Sequence, residues 1–186
     1  MIELVIIGGS AGSFRPVCDI IKNLKSDLNF PVVFVLHRLK NVNEGFEEIL
    51  NINDPFKRII EPCDKETIIE NKIYLAPANY HLLFSSKTKF CLSNDEPYMY
   101  SRPSIDLSFI SASKCFKKNI LGIILSGANK DGANGLCTVF NRGGKTLIQN
   151  IDESEVKTMP LEASKNIKNP FFLHSKDIAD YVNKLK

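Results

Sequence analysis

Short apolar runs, each ending in a small or polar turn, constrain this chain more than any other feature. Glu3 to Ile7, Pro31 to Leu36 (PVVFVL) and Ile120 to Leu125 (ILGIIL) are nearly continuous in apolar residues. A strand with one wet face alternates polar and apolar residues, whereas an unbroken run suits a strand covered on both faces. Helix-like stretches follow or separate these runs: about Arg15 to Leu24, Asn43 to Leu50 with Asn43 as its cap, Ile105 to Phe116, and Gly132 to Asn141 closed by Gly143-Gly144. Lys57 to Ile60, Lys72 to Leu75 and Lys145 to Gln149 read as further strands, and Asp177 to Leu185 as a terminal amphipathic helix. In the middle, His81 to Ser85 and Lys89 to Leu92 alternate across the polar break Ser86-Lys87-Thr88, the pattern of an antiparallel hairpin. The expected fold is a doubly wound α/β domain: a mostly parallel sheet flanked by helices, with a small antiparallel hairpin. Without repeats or a linker, residues 1–186 read as a single domain.

Three polar segments sit directly behind three of the strands. Gly8-Gly9-Ser10-Ala11-Gly12 follows the first, His37 the second, and Ser126 to Gly132 the strand at Ile120. In an open parallel sheet the loops at the carboxyl ends share one edge, and ligands bind there. Ser10, His37 and Asp131 can therefore meet, although they are far apart in sequence. Their types suit nucleophilic catalysis. A serine hydroxyl needs a base to take its proton, and a carboxylate fixes the imidazole's tautomer and stabilises its charged form. The small residues around Ser10 let the backbone turn sharply, and the amides that open the next helix point toward the same place, where an oxyanion would form.

Gly8-x-Ser10-x-Gly12 also matches the nucleophile elbow of α/β-hydrolases. That fold is not expected here. Its nucleophile follows several strands and its order is Ser, acid, His, whereas this chain runs Ser10, His37, Asp131. Each piece also admits a plainer role. The Gly-Ser turn could cradle a phosphate, His37 could be structural, and Asp131 could simply cap a helix. A nucleotide-binding domain lacks support, because His37 stands where an acidic ribose partner is expected.

Composition excludes more than it identifies. With 44% hydrophobic and 24% charged residues the chain is an ordinary globular one. A net charge of +3, spread along the chain, makes no case for nucleic acid or an anionic membrane, and nothing is apolar for long enough to span a bilayer. The five cysteines are widely spaced with no C-x-x-C, which points to reduced thiols in a cytoplasmic protein and to no metal site. His81 reads as structural, and His174 has no evident partner.

In seven segments this sequence resembles the catalytic domain of the bacterial chemotaxis-receptor methylesterases (CheB-type). They are VIIGGSAGS around Ser10, VFVLHRL around His37, IYLAPANYHLLF (73–84), RPSIDLSF (102–109), GIILSGANKDGANGL (122–136), GGKTLIQN (143–150) and ESEVKTMPLEA (153–163). The resemblance implies a doubly wound α/β fold and a catalytic triad of Ser10, His37 and Asp131. It implies hydrolysis of glutamyl methyl esters on the cytoplasmic helices of methyl-accepting chemoreceptors, with deamidation of glutamines by the same route. It implies no metal and no organic cofactor. Arg102 matches an arginine near the family's active site, and the amides of Ala11 and Ala128 fall where the oxyanion would be held.

Two positions depart from the family pattern. Ala11-Gly12-Ser13 replaces a hydroxyl residue followed by two glycines, and Ala128 replaces a methionine. The phospho-receiver domain that usually precedes the catalytic domain is not in this sequence, so the expectation is a stand-alone member or a fragment. A non-catalytic docking module with the same fold is the competing expectation, and oligomeric state is open.

Overall fold

The computed structural model describes residues 1–38 and 46–185. Seven strands form one sheet in the order β3-β4-β2-β1-β7-β8-β9. They are β1 (Leu4–Gly9), β2 (Val32–Leu36), β3 (Ile59–Ile60), β4 (Ile73–Leu75), β7 (Ile120–Ile124), β8 (Lys145–Gln149) and β9 (Phe172–Leu173), and every pairing is parallel. The central strands β1, β2 and β7 are buried at every position, which is why their sequences are unbroken apolar runs. β5 (His81–Ser86) and β6 (Lys89–Ser93) form the separate antiparallel hairpin.

Alternate residues of the strands feed two cores. On one face, Val5, Ile7, Phe34 and Ile123 pack with Ile20 and Ile21 of α1 (Phe14–Asn23), Leu50 of α2 (Phe46–Asn53) and Ile178 of α6 (Ser175–Asn183). On the other, Leu4, Ile6, Val35 and Ile124 pack with Phe109 of α3 (Ile105–Phe116), Leu136 of α4 (Ala133–Asn141), Met159 of α5 (Thr158–Lys165) and the hairpin's Phe84 and Phe90. The two-sided covering is the doubly wound arrangement expected from the sequence.

The differences have local causes. β1 runs two residues past Ile7, through Gly8 and Gly9, because neighbours on both sides complete its ladder: Gly9 pairs with Leu36 and Gly8 with Ile124. α5 and β9 have no counterpart among the sequence expectations. α5 carries Pro160 in its first turn and little apolar periodicity, and β9 is only two residues long. α2 begins at Phe46 among the described residues, and the proposed cap Asn43 lies outside them.

Candidate active site

The register of the sheet decides what meets at its carboxyl edge. Gly9 of β1 lies opposite Leu36 of β2, so Ser10 and His37 leave the sheet side by side, about 4.8 Å apart along the pairing direction. The His37 amide still donates to Gly9 O (3.1 Å), which pins the two exits together. On the other side, Ser10 N donates to Ser126 O (2.9 Å), joining the serine turn to the loop after β7. That loop, residues 126–132, returns Asp131 beneath His37.

Asp131 is fully buried, and its carboxylate oxygens accept four hydrogen bonds. Oδ2 takes His37 Nε2 and Ile105 N, both at 2.8 Å. Oδ1 takes Ser104 Oγ at 3.0 Å and Asp106 N at 2.9 Å. The acid therefore sits on the first amides of α3, where unpaired N–H groups and the helix dipole favour an anion. A carboxylate only accepts, so Nε2 carries the imidazole proton and Nδ1 is left as the basic nitrogen.

One hydroxyl lies near Nδ1, and a second, that of Ser10, belongs to a residue lining the same cavity as His37. Ser101 Oγ lies 3.4 Å from Nδ1. Ser10 lines the same cavity as His37, about 220 Å³, together with Ser13, Phe14, Leu36, Arg38 and Phe46. In this conformation the Ser10 hydroxyl makes no hydrogen bond to His37 among the described residues. Such bonds are often open before substrate arrives.

The serine turn is built tightly. Ser13 Oγ donates to Ser10 O (2.6 Å), and Ser126 Oγ lies 2.8 Å from Ala11 O and accepts from Val156 N (2.9 Å). Gly12 has φ +76°, and a Cβ there would lie 2.7 Å from both Glu155 Cβ and Ser126 Oγ, so the position needs glycine twice over. Ala11 and Ala128 are exposed residues whose amides make no hydrogen bond among the described residues, whereas the amides of Ser10, Ser13 and Gly127 are taken.

Arg102 Nη1 donates to the carbonyls of Asn94 (2.7 Å) and Asp95 (2.9 Å), bracing the segment after the hairpin. His81 is buried, with Nδ1 accepting from Ser104 N (3.1 Å) and Nε2 3.2 Å from Glu96 O, so it steadies the residue that caps α3. His174 does have a partner, Glu153, at 3.0 Å. No three His, Cys, Asp or Glu side chains are grouped to hold a metal among the described residues.

Sequence reasoning missed Ser104 and Asp106. Asp106 is fully buried, and burial, joined by the nearby charge of Asp131, pushes its carboxyl up to about 6 against the pull of the Gly135 and Gly132 amides. The available signal was a serine two residues before an aspartate at the start of a helical pattern, the composition of a helix N-terminus.

Comparison with known proteins decides the family. The CheB methylesterase family model matches residues 5–182. The chain belongs to the CheB methylesterase family. A Leptospira interrogans homologue is 34% identical over 187 residues, spanning 98% of this chain and 94% of its own. The protein-glutamate methylesterase/protein-glutamine glutaminase of Clostridium acetobutylicum is 32% identical over 184 residues, and there the match spans only 53% of the relative. The Thermotoga maritima CheB methylesterase catalytic domain superposes with a TM-score of 0.91 over 99% of this chain at 24% identity, a likeness of fold.

Proposed function

We propose that this chain is a protein-glutamate methylesterase. It hydrolyses glutamyl methyl esters on the cytoplasmic helices of chemoreceptors and deamidates glutamines by the same route. The observation that carries the reading is the His37–Asp131 pair (2.8 Å), its carboxylate buried and its imidazole sharing a cavity with Ser10, in a chain of the CheB methylesterase family.

In the mechanism, His37 Nδ1 takes the Ser10 proton as Oγ attacks the ester carbonyl. Asp131 holds Nε2–H and stabilises the imidazolium. The amides of Ala11 and Ala128 face the developing oxyanion. Collapse of the tetrahedral intermediate expels methanol, which takes the proton from His37. Water then hydrolyses the acyl-enzyme, with His37 as base again, and with glutamine the leaving group is ammonia. Phe14, Leu36 and Phe46 give the cavity an apolar wall for the substrate's aliphatic stem. No helix among the described residues is long and apolar enough to cross a membrane, which accords with a cytoplasmic enzyme acting on a receptor's cytoplasmic part.

A non-catalytic docking module is favoured by one observation, the unbonded Ser10 hydroxyl. Turnover separates the two readings. Purified protein with methylated receptor should release methanol, and Ser10→Ala should not. Receptor binding without release in the wild type would leave the docking module.

A further inference from the structure

Two aspartates at the rim exchange places, and the proposed mechanism uses only one of them. Asp131, at the entry to α4, binds the N-terminus of α3 through Ile105 N and Asp106 N. Asp106, in the first turn of α3, binds the N-terminus of α4: its Oδ1 accepts from Gly132 N (2.9 Å) and Gly135 N (2.6 Å). Each helix thus supplies the anion that satisfies the other's free amides. The glycines make this approach possible. Gly132 has φ +97°, and a Cβ on it would lie 2.6 Å from Ile124 Cδ1, while a Cβ on Gly135 would lie 2.7 Å from Phe109 Cβ and 3.0 Å from Asp106 Cα. Asp106 Oδ2 is buried with no partner among the described residues, so the contacts to α4 fall on Oδ1 alone.

Gly132 is the residue after Asp131. An acceptor that fixes the Gly132 amide fixes the backbone from which the Asp131 carboxylate projects toward His37. We propose that Asp106 is a positioning residue of the reaction: its clasp on Gly132 and Gly135 sets the orientation of Asp131, and through it the hydrogen bond that holds His37 Nε2. The inference rests on the triad reading above. It also gives a role to the segments RPSIDLSF and DGANG, whose aspartates and glycines would otherwise be separate features.

The test compares three variants of the full chain. Asp106→Asn keeps an Oδ1 acceptor; Asp106→Ala and Asp106→Ser remove one that reaches both amides. All three lack the carboxylate charge, so differences among them report position alone. For methanol release, Asp106→Asn should retain kcat within about threefold of wild type. The Ala and Ser variants should lose about tenfold or more in kcat with KM nearly unchanged. By NMR, the His37 Nε2 proton held by Asp131 should resonate less far downfield in the Ala and Ser variants than in Asp106→Asn. If Asp106→Ala does not fold, Asp106→Ser carries the comparison, because serine is tolerated at a helix start.

Equal kcat in all three variants, whether high or low, or a His37 Nε2 proton resonance that does not separate Asn from Ser, would overturn the proposal. Wild-type turnover by Ser10→Ala would instead overturn the triad, and the NMR comparison does not require turnover.

Discussion

Burying Asp106 should leave a measurable signature in stability against pH. An aspartate in the unfolded chain releases its proton near 3.8, whereas folded Asp106 does so only at about 6. The folded state therefore binds this proton more tightly, and stability from this group falls as pH rises from about 4 to about 6, with the full penalty present above that. A rise of that size corresponds to about 3 kcal/mol, at about 1.36 kcal/mol per tenfold in proton affinity. Asparagine cannot ionise, so Asp106→Asn removes the pH-dependent part while keeping an acceptor for Gly132 and Gly135. Any fixed penalty for its amide group cancels when two pH values are compared. Part of this penalty is already present at pH 4, so urea denaturation from pH 4 to pH 8 should show the variant gaining about 2 kcal/mol on wild type across that range, with equal m-values. Parallel curves, or a variant that loses ground as pH rises, would refute the assignment of the buried charge to Asp106.

Asp131→Asn should reduce kcat by about 10³–10⁴-fold. Both carboxylate oxygens accept from donors, so the new NH₂ must face an N–H or the Ser104 hydroxyl whichever way it turns; steady-state kinetics and a denaturation curve check the two consequences. Ser104→Ala removes the α3 cap and one Asp131 bond together, and should cost about 1–2 kcal/mol of stability in chemical denaturation. Gly12→Ala places a Cβ 2.7 Å from Glu155 and Ser126 at φ +76°, and should lower stability by about 1–3 kcal/mol, visible in the thermal midpoint, and methanol release with it.

The sheet was legible because its central strands are covered on both faces, so VVFVL and ILGII carry their burial in composition. The rim residues were legible as candidates because segments carrying serine, histidine and aspartate follow three strands that share one sheet edge, although each residue alone admits a plainer role. Ser104 and Asp106 were not, because their role depends on two helix N-termini meeting, and no local spacing encodes that meeting. Sequence left Arg102 with two roles, positioning the substrate or bracing its loop, and in the structure its Nη1 donates to the carbonyls of Asn94 and Asp95. α5 and β9 escaped the pattern because one begins at a proline turn and the other is too short to show a period.

Covalent labelling tests the central claim most directly. A fluorophosphonate traps only a serine whose neighbouring base is working. Peptide mapping after labelling should place the adduct on Ser10, and His37→Ala should abolish it. A folded protein that takes no label, or takes it on Ser101, whose hydroxyl lies near His37 Nδ1, would contradict Ser10 as the nucleophile.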